Sequence, residues 1–188
     1  MPTTTTPIPL DVPPALREAW ERHQAIVKLG DPILQQVARP VPRFDAELRT
    51  LVERMAIIMD EAHGLGLAAP QIGVSLRVLI YKVEETLRVL VNPKIISMRG
   101  EQLDPPEGCL SIPGLQGRVR RAMEVRVKGF DARGKPVSRR ATDLEARVIQ
   151  HEIDHLDGVL FIDRADPETL EWVFGPGEDD DGNAAPRE

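Results

Sequence analysis

The apolar positions in the first third of the chain predict a long amphipathic helix over residues 45–62. Within that range apolar residues recur at steps of three and four, which is the period of a helix with one buried face. They are Leu48, Leu51, Val52, Met55, Ile58, Met59 and Ala62. Gly64 follows and predicts the end of the helix. Packing against a core accounts for the whole stripe, so its methionines require no cofactor.

The middle of the chain predicts strands. Residues 76–83 and 87–98 are rich in β-branched residues and are bounded by turn-forming residues. Residues 124–131 and 135–141 flank the turn "DARG", a pattern that predicts a β-hairpin. We therefore expect the centre of the chain to be mostly sheet.

A second long helix is predicted directly after this hairpin. Thr142 and Glu145 form a T-x-x-E capping box, in which the Thr hydroxyl accepts a backbone amide and the Glu side chain returns to the cap amide. Gly158 predicts the end of this helix. Trp20 and Trp172 are also expected in helices near the two ends of the chain.

Length and composition favour a single domain. The chain has 188 residues, 41% of them hydrophobic and 29% charged, which is ordinary for a globular protein. Both ends are polar, proline-rich or acidic, and cannot bury enough apolar surface to offset the entropy lost on ordering. We expect one domain over residues 1–188, with flexible tails at about 1–14 and 176–188.

Several classes of protein are disfavoured by the same composition. No apolar run approaches the roughly 20 residues that span a bilayer, and the N-terminus lacks the apolar centre of a signal peptide. We therefore predict a cytoplasmic protein without a membrane partner. The net charge of −6 argues against DNA as a partner, because phosphates would be repelled on average. The single cysteine, Cys109, excludes an internal disulfide and leaves its thiol free for chemistry.

The second helix carries a candidate metal site in "QHEIDHLDG", residues 150–158. His151, Glu152 and His155 form the pattern H-E-x-x-H. Residues four apart lie one turn apart on the same helix face, so both imidazoles can face one ion while Glu152 faces the water beside it. The alternative is an ordinary helix whose histidines make local hydrogen bonds. His23 and His63 have no comparable setting.

Two histidines do not complete a catalytic metal site, which normally keeps three protein ligands and one open position. Cys109 is the available soft donor, and it lies in "EGCLSIPG", residues 107–114. The flanking glycine and "IPG" predict a short strand between turns. A lone cysteine is otherwise most often a small buried hydrophobic residue, so this assignment stays open from the residues alone.

Three segments together resemble one family. "GLGLAAPQIG" at 64–73, "EGCLSIPG" and "QHEIDHLDG" occur in the order and form of the peptide deformylases, which remove the formyl group from N-formylmethionine at the start of new proteins. The likeness runs from about residues 26–34 to 158–164. It implies an α+β, peptide-deformylase-like fold, with mostly antiparallel β-sheets around a central helix that carries the H-E-x-x-H motif.

The resemblance also implies roles for individual residues. The implied metal ligands are Cys109, His151 and His155. The implied catalytic groups are Glu152, as acid and base, and two donors to the substrate oxygen, which are the Gln71 side chain and the backbone amide of Leu110. Candidate substrate-binding residues are Gly64, Leu65, Gly66 and Arg147, of which Gly66 would lie along the substrate peptide and Arg147 at the pocket rim or in solvent. The expected cofactor is one divalent ion, Fe(II) in the cell, with zinc, nickel and cobalt as alternatives.

Together these roles account for hydrolysis of the formyl amide. Glu152 would take a proton from water and return it to the leaving amine, while donors at the developing oxyanion each supply roughly 3 kcal/mol. Gln71 could instead be a loop residue bonded to backbone. The implied partners are N-formylmethionyl nascent peptides and, transiently, the ribosome. Arg118, Arg120 and Arg121 are a candidate surface for that contact, although a basic strand edge explains them equally well.

Two other functions fit parts of the pattern. An H-E-x-x-H metallopeptidase would use the same helix geometry, although its third ligand is normally His or Glu. A non-catalytic homologue would keep a structural metal and act by binding, but it would have no use for Glu152 as an acid and base. A deformylase would remove the formyl group from formyl-Met-Ala-Ser, whereas a metallopeptidase would cleave an internal peptide bond. A metal-loaded protein with no activity would favour the non-catalytic homologue.

Overall fold

The computed structural model describes residues 12–173. The predicted C-terminal tail lies outside the described residues, as does the predicted N-terminal tail up to residue 11. Pro14 already begins a 3-10 helix, Pro14–Leu16. The α-helices that follow are α1 (Arg17–Arg22), α2 (Ala46–Glu61) and α3 (Asp143–Leu156). The strands are β1 (Gly66–Ala68), β2 (Val78–Val83), β3 (Thr86–Arg99), β4 (Glu107–Cys109), β5 (Ile112–Gly117), β6 (Glu124–Phe130), β7 (Pro136–Thr142) and β8 (Glu171–Trp172).

The strands form two antiparallel sheets. The larger has the order β1-β2-β3-β6-β7, and the smaller has the order β4-β5-β8. Strands β1 and β4 are therefore edge strands of the two sheets. With α2 and α3 packed on this framework, the predicted α+β class is confirmed.

Helix α3 is central because its apolar residues pack on the larger sheet. Ile149 and Leu156 are fully buried in one cluster with Leu79 and Val125 of the sheet. Helix α2 contributes Met55, Met59 and neighbouring residues to a second cluster. A third cluster joins the smaller sheet to the segment after α3. The helix with the H-E-x-x-H motif is thus held between sheet and loops.

Most predicted elements occur where the hydrophobic pattern places them. Helix α2 begins after Asp45, whose carboxylate accepts a hydrogen bond of 3.1 Å from the backbone amide of Leu48. The predicted hairpin is formed by β6 and β7 around the turn at Asp131. Among residues 12–173, no helix is both long and apolar enough to cross a membrane.

The capping box predicted for α3 is wrong in its contacts, although the helix starts at the expected place. Thr142 is the N-cap residue but makes no side-chain cap hydrogen bond. The Glu145 carboxylate instead accepts hydrogen bonds from the Arg139 guanidinium, at 2.9 and 2.8 Å, and from the Tyr81 hydroxyl at 2.9 Å. A charge-assisted bidentate pair is stronger than a bond to one amide, so it holds the carboxylate against the sheet. Trp172 is also not helical; it pairs with Leu115 in β8.

Candidate active site

A groove of about 570 Å³ brings the three sequence motifs together. Its walls include Gly66 of β1, Cys109 of β4 and the face of α3 that carries His151 and Glu152. Both edge strands therefore border the groove. An edge strand presents unpaired backbone groups, which suits a site that binds an extended peptide through its main chain.

The predicted metal ligands meet at one end of this groove. Cys109, His151 and His155 each offer one ligand atom, and these atoms lie within 4.8 Å of one another. The Cys109 Sγ is 3.2 Å from His155 Nε2. The two imidazoles come from successive turns of α3, with ring centroids 5.0 Å apart, as the four-residue spacing requires.

Glu107 orients the first of these histidines. Its Oε2 accepts a 2.9 Å hydrogen bond from His151 Nδ1, so the proton is on Nδ1 and Nε2 is left as the ligand atom. The same carboxylate accepts hydrogen bonds from Arg121, at 2.8 and 2.9 Å, and from Arg147 at 2.8 Å. Burial alone would raise the pKa of Glu107, but the hydrogen bonds and charges of Arg121 and His151 lower it to about 2. The residue is therefore a permanent anion beneath the site.

This ionic network continues away from the groove. Arg121 donates a 2.6 Å hydrogen bond to Asp154, which also accepts two from Arg164. Arg121 is only 5% exposed. It is therefore not available as a basic surface residue, because its charge is neutralised by two buried carboxylates. Arg118 and Arg120 are exposed and pair with Asp104 and Glu101.

The electrostatics of the ligand residues suit a cation. Burial would raise the pKa of the Cys109 thiol, but the charge of His155 and hydrogen bonds with both histidines lower it well below its usual range. Burial would lower the pKa of His151, yet its bonds to Cys109 and Glu107 raise it. Both pKa shifts arise in part because a Cys109 thiolate attracts positive charge. A thiolate and two imidazoles form a donor set that fits a divalent transition metal, so the residues present fit such an ion.

Glu152 lies beside this ligand set. It is 4% exposed, and among the described residues its Oε2 has no hydrogen-bond partner. Burial raises the pKa of Glu152 to about 7, against the opposing charges of His151 and His155. A carboxyl group with that pKa can both accept and donate a proton near neutral pH.

Gln71 is placed by β1 and by the loop after β4. Its Oε1 accepts a 2.8 Å hydrogen bond from the Ala68 amide, which fixes the side-chain orientation. Its Nε2 consequently faces Cys109 Sγ at 3.5 Å and Ser111 Oγ at 3.3 Å. Leu110, the residue after the thiol, also lines the groove. The amide donor predicted from the sequence is thus directed at the ligand set.

The predicted substrate-binding residues all line the groove, but Arg147 differs from expectation. Gly64, Leu65 and Gly66 form one wall. Arg147 is 3% exposed and donates to Glu107 and to the Val119 carbonyl, so it supports the site from below and does not face solvent.

The buried contacts of Glu107 and Arg121 next to the predicted metal ligands were not predicted from the sequence. Glu107 lies two residues before Cys109 in the quoted motif, and that position was the available signal. Arg121 gave no comparable signal, because it lies within a run of basic residues and its two partners come from distant segments.

The family model described as polypeptide deformylase matches residues 23–171 of this chain. The peptide deformylase of Acidothermus cellulolyticus is 54% identical over 139 residues, covering 74% of this chain and 77% of that protein. The peptide deformylase of Heliobacterium modesticaldum is 50% identical over 146 residues, covering 78% of this chain and 96% of that protein.

Solved structures give the same result at the level of the fold. The peptide deformylase of Thermotoga maritima superposes with a TM-score of 0.74 at 40% identity, covering 76% of this chain and 97% of that one. The structure of the Synechococcus elongatus peptide deformylase in complex with actinonin superposes with a TM-score of 0.73 at 44% identity, covering 75% and 78% of the two chains.

Proposed function

The chain belongs to the polypeptide deformylase family, and on that premise we propose which of its residues remove the formyl group from the N-terminal formylmethionine of a new protein. It is a hydrolase that acts on the formyl amide and releases formate. The observation that carries the residue assignments is the position of Glu152 beside Cys109, His151 and His155 at one end of a peptide-sized groove.

Cys109, His151 and His155 would hold one divalent ion. The ion would supply Lewis-acid chemistry at the formyl oxygen and lower the pKa of a neighbouring water molecule. We expect Fe(II) in the cell and activity with zinc, nickel or cobalt, because mixed thiolate and imidazole ligation suits several of these ions. Glu107 keeps His151 in the tautomer and orientation that ligation requires.

Glu152 is the proposed base and acid. Its carboxylate takes a proton from water as the water oxygen bonds to the formyl carbon, and returns that proton to the amide nitrogen as the C–N bond breaks. The unpartnered Oε2 supports this role, because a buried carboxylate oxygen without a protein partner is suited to a water molecule or a substrate group.

Gln71 and Leu110 are the proposed oxyanion donors. When water adds, negative charge develops on the formyl oxygen, and donors fixed before the reaction stabilise that charge without reorganising. The Gln71 amide is fixed by its bond from the Ala68 amide. The substrate main chain would extend along β1 at Gly66 as an added strand, with the methionine side chain in the apolar part of the groove near Leu65 and Val148.

Glu152→Gln tests the assignment. We expect the metal-loaded parent to release formate from formyl-Met-Ala-Ser without cleaving internal peptide bonds, and Glu152→Gln to keep its metal and lose this activity. Asp157→Asn is the matched control, since it removes a carboxylate from the exposed end of α3. Equal activity in parent and Glu152→Gln would exclude Glu152 as the base, and internal cleavage by the parent would favour the metallopeptidase alternative.

A transient ribosome contact and action in the cytoplasm are further parts of this proposal, and both follow from a nascent-chain substrate. We also propose that residues 1–188 form a single catalytic domain. With Arg121 buried, Arg118 and Arg120 are the residues of the basic run that reach the surface. Co-sedimentation with ribosomes should weaken in the Arg118→Ala, Arg120→Ala double variant. Unchanged co-sedimentation would exclude this surface.

A further inference from the structure

Helix α1 precedes residues 23–171, the range that the family model matches, yet it forms part of the groove wall. Ala19, Arg22 and His23 all line the groove. Ala19 and Arg22 lie three residues apart on α1, and His23 directly follows the last residue of the helix. Ala19 and Arg22 therefore belong to a segment outside the matched part of the chain.

Contacts of Leu16 and Trp20 fix α1 on β5. Leu16, which immediately precedes α1, is 3% exposed and packs on Gly114, where a side-chain methyl would come within 2.5 Å of Leu16 Cδ1. The Trp20 indole donates a 2.9 Å hydrogen bond to the Pro113 carbonyl. Gly114 thus provides the space that lets the segment lie flat on the strand.

The segment that follows α1 is also hydrogen-bonded to the backbone of Gln71 and Ser111. Lys28 Nζ donates 2.8 Å hydrogen bonds to the carbonyls of His23 and Ile26. The Val27 amide donates to the Gln71 carbonyl, and the next segment pairs with the backbone of Ser111. The face with Arg22 is consequently held in a fixed place relative to Gln71 and the metal ligands.

Arg22 differs in exposure from the charged residues at the centre of the groove. Glu107, Arg147 and Glu152 are each at most 5% exposed. The Arg22 side chain is 57% exposed, and its ion pair is with Glu18, at 3.4 Å, which is itself 84% exposed. A pair this exposed is weak, so a substrate carboxylate can replace Glu18 at little cost.

From this arrangement we propose that Arg22 is a specificity residue that favours an acidic side chain among the substrate residues following the formylmethionine. With the formyl group beside Glu152, as proposed above, the rest of the peptide would extend along the groove that α1 also lines, so we expect its later residues to approach Arg22. Arginine also suits this contact because its planar guanidinium matches a carboxylate with two parallel hydrogen bonds. The inference rests on the proposed function and adds to it a preference for charge.

The test uses C-terminally amidated peptides, so that no terminal carboxylate competes for Arg22. The substrates are formyl-Met-Asp-Ala, formyl-Met-Ala-Asp and their lysine counterparts, and the readout is the Asp-to-Lys ratio of kcat/KM for each position. We expect the parent to favour aspartate about two- to fivefold at one of the two positions, a size typical of an exposed ion pair. Arg22→Gln should abolish this ratio and Arg22→Glu should invert it. Glu18→Gln should increase it, because the competing carboxylate is gone.

Arg17→Glu is the matched control, since it makes the same change of charge on α1 at a residue that does not line the groove. It should leave the ratio and the activity on formyl-Met-Ala-Ser amide as in the parent. Equal ratios for aspartate and lysine in the parent, or the same shift in Arg17→Glu as in Arg22→Glu, would overturn the inference. Activity of the parent on formyl-Met-Ala-Ser amide tests the proposed function separately, because that peptide has no charged side chain.

Discussion

The carboxylate of Glu152 lies over the Cα of Gly66, in the space that a side chain at residue 66 would occupy. A Cβ added to Gly66 would overlap Glu152 Oε1 and lie 2.9 Å from Cγ. Sequence reasoning assigned this glycine to the path of the substrate backbone. The contact adds a second reason for glycine at this position, because Gly66 leaves room for the proposed catalytic base.

Gly66→Ala should therefore reduce activity by displacing Glu152. Displacement of a catalytic group by about 1 Å can cost about 100-fold, and we expect a loss of that order in kcat/KM for a formyl-methionyl peptide. Circular dichroism should show a folded protein. Gly134→Ala is the control: it strains the β6–β7 turn, where φ is 81°, and should reduce stability but not activity. Parent-like activity in Gly66→Ala would show that Glu152 does not need this space.

Glu107→Gln should destabilise the protein and weaken metal binding together. It leaves Arg121 and Arg147 buried without their shared anion, and loss of one partner from a buried ion pair typically costs about 3–5 kcal/mol. It also weakens the hydrogen bond that orients His151, for which a 10- to 100-fold loss in metal affinity is typical. Urea unfolding and competition with a chelator measure the two effects.

Glu101→Gln is the control for Glu107→Gln, because Glu101 pairs with Arg120 at the surface. Its removal should change the free energy of unfolding by no more than about 0.5 kcal/mol. An equal loss in free energy of unfolding in both variants would show that the buried network stabilises the protein no more than a surface ion pair does.

The sequence predicted the helices and strands that have a clear period, and it predicted the ligand set through the resemblance. The stripe from Leu48 to Ala62 and the spacing of His151 and His155 are local patterns. Each depends only on helix geometry, and both segments are helical in the structure. The partners of Glu107 are not local, because Arg121, Arg147 and His151 reach it from separate segments. No pattern in a single sequence specifies which residues of separate segments will contact one another.

The errors have related causes. Thr142 and Glu145 fit a capping box, but the pattern does not include Arg139 and Tyr81, which compete for the carboxylate from the adjoining strands. Arg121 resembles its exposed neighbour Arg120 in sequence and differs only in the tertiary contacts it makes. In both cases the side chain makes tertiary contacts that the local sequence pattern does not contain.

Gln71→Glu should separate binding from catalysis. The substitution keeps an oxygen that can accept the Ala68 amide, but it replaces the proposed oxyanion donor with a carboxylate. Removal of one such donor typically lowers kcat by about 100- to 1,000-fold, and we expect a fall in that range. Steady-state kinetics on formyl-Met-Ala-Ser provide the test. A kcat within threefold of the parent value would assign Gln71 a structural role alone.

The Glu145 contacts should make stability depend on pH in the acid range. Burial would raise the pKa of Glu145, but the hydrogen bonds from Arg139 and Tyr81 and the charges of Arg139 and Arg88 lower it from its ordinary value of 4.5. Because the folded pKa lies below the unfolded one, the stabilisation is fully present above about pH 4.5 and is lost as the pH falls through the folded pKa.

Urea unfolding of the parent and Glu145→Gln from pH 7 to pH 3 measures this effect. The parent should be the more stable protein at neutral pH, and the difference should shrink below about pH 4.5. A difference that stayed constant across the range would mean that packing, and not charge, stabilises this part of the fold.

The central claim is that Cys109, His151 and His155 bind one ion beside Glu152. Anaerobic metal analysis, paired with formate release on the same samples of the parent, Cys109→Ser and Glu152→Gln, tests it most directly. The account predicts one divalent ion per chain and full activity in the parent, loss of both in Cys109→Ser, and retention of the ion without activity in Glu152→Gln. Full metal content and full activity in Cys109→Ser would contradict it.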